Sequence, residues 1–382
     1  MKESLHRRLA WFSLDVRATV VALLLLLLVP LAVAGCQSAP KPILTPTRTP
    51  RPRLTPTNTR TPAPVATPTL AATATPTPNP YANPLTGQRV SDPALLQRRP
   101  IHVRLGNDAE IRPQSGLSQA DLVYEEMMEG AGTRLTAVFL AQDPEAIGPV
   151  RSARLVNLEL TPQFDAALVH SGASDHTRWL ISQSKIVDLD EFFNPAPYYY
   201  IEGRDWRGRL FTSALHLREY LVKRGWEKKV TLQGFVFSPE GAPPPGGTPA
   251  QSIAIPYSGG SSVEWQYDSL AGVYRRLVAG KPQVDAGNKQ SLTAANVVVI
   301  YARHEDTDIV EDSLGATAIR IVLSGEGKAV VCRDGVAVTG RWQRNAPEQL
   351  MRFVDATGQP IPFKPGVTWF QIVPLDFAVT VK

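Results

Sequence analysis

Ser238-Pro239-Glu240-Gly241-Ala242-Pro243-Pro244-Pro245-Gly246-Gly247-Thr248-Pro249-Ala250 divides the folded part of this 382-residue chain, and the patterns on its two sides set the fold class. A stretch this dense in proline and glycine continues neither helix nor sheet, so it predicts a linker at 238–250. Before it, apolar runs at 101–105, 122–128, 135–140 and 166–170 read as strands. Helical patterns near 152–160, 178–184 and 213–226 are mixed with them. After it the pattern turns to alternation. Val263, Trp265 and Tyr267 share one face, 273–277 returns from a turn at 268–272, and Arg333-Asp334-Gly335 marks a second hairpin. Further strands are expected at 297–301, 318–323 and 367–373. The class is therefore α+β, with a mixed α/β N-terminal domain at 81–237 followed by a smaller β-rich C-terminal domain at 251–382.

Outward toward the N-terminus, 36–80 is a Thr/Pro-rich stalk with little to bury. Pro-rich chain extends about 3.1 Å per residue, enough to hold the folded part on the order of 100 Å from a membrane. Residues 1–35 read as a signal peptide. Lys2, Arg7, Arg8 and Arg17 precede an apolar run at 18–34, and Val33-Ala34-Gly35-Cys36 places small residues before a cysteine, as a lipoprotein signal requires. Cleavage before Cys36 and lipidation of its thiol predict an extracytoplasmic protein lipid-anchored to the cell membrane. Cys332, the other cysteine, lies in a strand-like run and reads as a buried thiol.

The net charge of +5 belongs to this tether. The first seventeen residues hold a surplus of two positive charges and 37–80 five more, which leaves −2 for the chain from Tyr81 on. A near-neutral body argues against nucleic-acid binding.

Three polar constellations stand out. Gly148-Pro149-Val150-Arg151-Ser152-Ala153-Arg154 precedes Leu155, Leu158 and Leu160, which predicts a helix capped by Ser152. Two guanidinium forks and free backbone N–H groups can face one anion there, with Arg134 pointing to the same place; a capped helix with solvated arginines is the alternative. His170-Ser171-Gly172-Ala173-Ser174-Asp175-His176 follows a strand. Either Ser171 or Ser174 is a nucleophile activated by His170 or His176, or Ser174 or Asp175 simply caps the next helix. Asp121, Glu125, Glu126 and Glu129 form the third. Period two puts Glu125 and Glu129 on one face, for acid–base work or for pairing with Arg134, Arg151 or Arg154. Six histidines without a His-x-x-x-His spacing or a cysteine cluster predict no metal site, and no cofactor is expected.

The chain resembles the YerB-like lipoproteins, a two-domain family of unassigned function. The likeness rests on Asn83-Pro84-Leu85-Thr86-Gly87, Arg112-Pro113-Gln114-Ser115-Gly116-Leu117, Ala120-Asp121, Thr133-Arg134 and, most specifically, Gly148 to Arg154. It continues through His170-Ser171-Gly172, Tyr274-Arg275-Arg276, Gly280, Asp285, Asn296-Val297-Val298, Trp342 and Thr368-Trp369. Where that family commonly has Pro-His-Asn before Leu-Tyr-Thr-Ser, this chain has Arg207-Gly208-Arg209 before Leu210-Phe211-Thr212-Ser213, without the histidine and asparagine. In order and residue type it is also similar to the LytR-CpsA-Psr transferases, which hold a lipid pyrophosphate with arginines.

The preferred expectation is a non-catalytic envelope protein. It would bind an anionic wall polymer or a protein partner through Arg134, Arg151, Ser152 and Arg154. A transferase on a lipid-pyrophosphate-linked polymer, using Asp121 or Glu125, and a serine hydrolase using Ser171 or Ser174 are the alternatives.

Overall fold

Asn296-Val297-Val298-Val299-Ile300-Tyr301 and Thr368-Trp369-Phe370-Gln371-Ile372-Val373 are buried at every position, as expected of strands covered on both faces. They lie at the middle of the molecule. The computed structural model describes residues 79–238, 243–244, 246–258, 260–312 and 314–382. The signal peptide, Cys36 and nearly all of the stalk lie outside the described residues.

The N-terminal domain supplies β1 (Ile101–Gly106), β2 (Leu122–Met127), β3 (Thr133–Phe139), β4 (Ala167–His170) and β5 (Val187–Asp190), then a small hairpin of β6 (Tyr198–Tyr200) and β7 (Leu210–Thr212). Its helices are α1 (Asn157–Leu160), α2 (Asp175–Ser182) and α3 (Ala214–Lys223). Within the stretch expected as a linker, Thr248–Pro249 forms β8, because its backbone finds an open partner in a strand further on; after it come β9 (Ser252–Ile255), β10 (Val263–Asp268), β11 (Val273–Val278), β12 (Lys281–Pro282), β13 (Thr293–Ala294) and β14 (Asn296–Tyr301). The chain continues through β15 (Arg303–Val310), β16 (Thr317–Val322), β17 (Gly325–Arg333), β18 (Val336–Arg344), β19 (Arg352–Val354), β20 (Thr368–Val373) and β21 (Thr380–Val381). The α+β class with a strand-rich C-terminal domain is what the structure contains.

The two domains share one sheet. Its order is β19-β18-β17-β14-β20-β2-β3-β1-β4-β5, with β8 added beside β18. The seam is a parallel pairing of β2 with β20, from Leu122 opposite Thr368 to Glu126 opposite Ile372. Two-residue periodicity then builds two cores. Val297, Val299 and Trp369 face a second sheet, β12-β11-β10-β9-β21, where Trp265 meets Trp369 edge-on at 5.2 Å. Val298, Ile300 and Phe370 face the opposite core with Tyr124, Leu160, Phe164, Phe353 and Phe363. Cys332 is buried in the first core, and its thiol is pushed up to about 12 by burial.

One expected element is displaced. The helix predicted over 152–160 begins only at Asn157, and Ser152 caps nothing. Residues 151–153 are extended because neighbouring strand ends take their backbone groups. Arg151 N–H donates to Arg104 O at 2.9 Å, and Ala153 N–H donates to Gly172 O at 2.8 Å. Asn157 Oδ1 instead accepts from Arg154 N–H at 2.9 Å.

Candidate anion site

Strands β1, β4 and β5 are parallel, and β2 runs with them because β3 is antiparallel to both β1 and β2. Their C-terminal ends therefore gather along one edge, the place where open α/β sheets bind ligands. Arg104 near the end of β1, Arg134 at the start of β3, and Arg151 and Arg154 from the inserted segment converge there.

Their compensation is unequal. Arg104 donates to Glu126 Oε1 and Thr136 Oγ1, both at 2.5 Å. Arg154 places Nε 2.8 and 2.9 Å from the two oxygens of Glu129, with Nη2 on the same carboxylate. Burial opposes its charge, but those bonds win and hold its pKa above the ordinary arginine value. Arg134 is wholly buried and has no such carboxylate. Nη2 donates to Met128 Sδ at 3.0 Å, while Nε and Nη1 have no partner among the described residues. Burial and the charges of Arg154, Arg151 and Arg104 press its pKa down to about 9, against the opposite pull of Asp108. A guanidinium in water keeps its proton beyond pH 12, so this direction registers a poorly matched cation.

Arg151 stands at the rim. Gly106 makes room for it, since a Cβ there would come 2.7 Å from Arg151 Cγ. The Trp206 ring lies 5.3 Å from its guanidinium carbon. Its Nε is buried and has no hydrogen-bond partner among the described residues. A hairpin of the C-terminal domain, β15–β16, reaches the same edge. Glu311 Oε1 accepts from Thr177 Oγ1 at 2.7 Å, and Oε2 lies 3.9 Å from Arg154.

The other sequence-flagged residues go elsewhere. His170 Nε2 lies 2.6 Å from Asp188 Oδ1, and Nδ1 meets the Gly172 backbone. Ser174 Oγ caps α2, accepting from Thr177 N–H at 3.3 Å, and Ser171 N–H donates to Arg151 O. No hydrogen bond joins His170 to either serine hydroxyl among the described residues. Asp121, whose pKa burial raises, accepts from Asn83 Nδ2 and the N–H groups of Leu140 and Ala141, fastening the start of the folded chain. Glu129 does not share a face with Glu125, because β2 ends at Met127 and a tight turn carries Glu129 to Arg154.

Glu125 belongs to the domain seam. It accepts from Arg276 Nη2 at 2.8 Å, Asn107 Nδ2 at 3.0 Å and Thr133 Oγ1 at 2.9 Å. Arg276 lies over both Trp265 and Trp369, 5.2 and 4.4 Å from their centroids, and its Nε donates to Gln283. Asp285 accepts from Gly116 N–H and Ser118 N–H, and Gln283 Nε2 donates to Gln114. Among the stretches that carry the family likeness, Arg112 to Leu117, Tyr274-Arg275-Arg276, Asp285 and Thr368-Trp369 join the domains, whereas Arg134 and Gly148 to Arg154 build the edge site.

Arg104, Trp206 and Glu311 were missed, and Arg276 figured only in a stretch that carries the family likeness. Arg104 had a usable signal: His102 and Arg104, two apart in an otherwise apolar strand, must share a face. A cleft of about 810 Å³ opens at the opposite, N-terminal strand ends, among Arg99, Phe164, Ile186, Lys229 and Leu350. None of the edge arginines lines it. Among the described residues no group of three or more His, Cys, Asp or Glu side chains is placed to hold a metal.

The family described as "Protein of unknown function (DUF3048)" matches with its N-terminal domain at residues 85–227 and its C-terminal domain at 253–370. The Bacillus subtilis (strain 168) protein named "Putative lipoprotein YerB" is 30% identical over 314 residues, covering 77% of this chain and 87% of that protein. The crystal structure of YerB from Bacillus subtilis superposes with a TM-score of 0.68 at 27% identity, covering 78% of this chain and 98% of that one. Both domain matches, the shared length and the common fold agree: the chain belongs to the YerB-like DUF3048 family, whose function is unassigned.

Proposed function

We propose that this chain is an extracytoplasmic lipoprotein, anchored by lipid on Cys36, whose folded part binds an anionic cell-envelope polymer without transforming it. The anchor rests on Val33-Ala34-Gly35-Cys36 after an apolar run and agrees with the name of the Bacillus relative. The stalk then sets how far from the membrane the site can reach.

One observation carries the binding reading: Arg134 is a buried cation with two nitrogens that have no partner among the described residues, beside three further guanidiniums. An uncompensated buried charge costs several kcal/mol, and an anion arriving at the edge offsets that cost. Guanidinium forks favour phosphate and carboxylate groups, which a charged polymer repeats along its length. Because the body from Tyr81 on carries only −2, the attraction is confined to this edge.

The test is co-sedimentation of the full chain, in detergent micelles, with isolated cell-wall polymer at low and high salt. Retention is expected to fall at least tenfold in Arg151→Glu and to weaken with salt. Equal retention of wild type and variant would overturn the reading.

A further inference from the structure

Around the buried arginines the rim is aromatic. Trp206 is 67% exposed, and it sits in the loop between β6 and β7, which is held in a defined shape. Asp205 accepts from Arg207 N–H and Arg207 Nε at 2.9 Å, and Gly208 N–H donates to Asp205 O. Gly208 packs on Ile111, where a Cβ would meet Cγ2 at 3.0 Å. One face of the Trp206 ring covers the Arg151 guanidinium, and the ring otherwise stands open to solvent. Arg151 in turn lies between that ring and Gly106, with Arg134 behind it. The exposed indole and the Arg151 guanidinium are thus adjacent, and the buried Arg134 lies near enough to Arg151 to feel its charge.

Taking the anion-binding reading as its basis, we infer that the ligand is a phosphorylated carbohydrate, with a sugar ring on Trp206 and its phosphate on Arg151 and Arg134. The chemistry of the two parts differs. The C–H face of a pyranose is apolar and flat enough to cover an indole, and a ring held there gains both burial and dispersion contacts. A phosphate ester one bond from that ring is within reach of Arg151, whose position is fixed from both sides. A bare phosphate uses only the guanidiniums, and a neutral sugar only the indole. Trp206 is thus a specificity-determining residue, while Arg134 and Arg151 supply the anion contact.

The experiment is isothermal titration of the full chain in detergent with three probes: inorganic phosphate, N-acetylglucosamine and N-acetylglucosamine 1-phosphate. Wild type is expected to bind the sugar phosphate at least tenfold more tightly than inorganic phosphate. Trp206→Ala is expected to lose that advantage over inorganic phosphate, with circular dichroism showing that the variant is folded, and Trp206→Phe to keep most of it. Equal affinity for phosphate and sugar phosphate in wild type, or an undiminished preference in Trp206→Ala, overturns the sugar assignment and leaves the anion site standing. Failure of wild type to bind either phosphate overturns both readings.

Discussion

His102 is buried with neither ring nitrogen hydrogen-bonded among the described residues, and it packs against Phe164 at 5.3 Å. Burial, reinforced by the charge of Arg104, holds its pKa down at about 3. The folded chain therefore refuses a proton that the unfolded chain takes up near pH 6.5. The stability tied to neutral His102 is complete above that pH and is lost as pH falls toward 3, at about 1.4 kcal/mol per pH unit. Replacing the ring removes this term. In denaturant titrations at pH 7 and pH 5, His102→Phe is expected to lose at least 1 kcal/mol less than wild type on acidification, and an equal loss would refute the assignment. At this scale the sequence was legible in kind but not in partner. Arg134, Arg151 and Arg154 were visible as a candidate cluster, yet nothing local says that Glu129 would take Arg154 and leave Arg134 unmatched. The same holds for Glu125, read as an acid–base candidate. Its partner Arg276 lies 151 positions along the chain, and only the folded sheet brings the two together.

Strands were legible because apolar runs and alternation survive any tertiary context, and the α2 cap at Ser174 was among the readings kept open. The helix expected over 152–160 failed for an identifiable reason. The chain at 151–153 is held in a non-helical path, with Arg151 N–H on Arg104 O of β1 and Ala153 N–H on Gly172 O just past β4, so the helix begins only at Asn157. The β15–β16 arm was only half legible: 318–323 was expected as a strand, but its antiparallel partner at 303–310 was not. This arm pairs with no other strand, and the Glu311 contact with Thr177 and Arg154 tethers its tip across the edge site. Glu311→Ala is expected to free the arm, raising the rate of limited proteolysis within 303–322 several-fold while moving the global unfolding midpoint by less than about 3 °C. An unchanged cleavage rate would show that the arm is held by its other contacts.

For the whole molecule, the Pro-rich stretch at 238–250 marked a change from a mixed pattern to a strand-rich one, although Thr248 and Pro249 within it join the sheet as β8. It could not reveal that β20, the penultimate strand, returns to pair with β2 and makes one sheet of both. That pairing spans more than two hundred residues, and no local signal records it. The seam it creates is held by the matched pair Arg276–Glu125, whereas the edge keeps the unmatched Arg134. These two buried arginines should therefore respond oppositely to the same substitution. Arg276→Met leaves Glu125 without its cation and should destabilise the fold by about 3–5 kcal/mol. Arg134→Met removes a buried charge that no carboxylate hydrogen-bonds among the described residues, so the molecule should become more stable while losing its ligand, the exchange expected at a binding site. The decisive measurement is the unfolding free energy of Arg134→Met beside its affinity for inorganic phosphate. The expected result is a gain of about 1–4 kcal/mol in stability with phosphate binding abolished. A variant destabilised as Arg276→Met is, with phosphate binding intact, would contradict the assignment of this edge as an anion site.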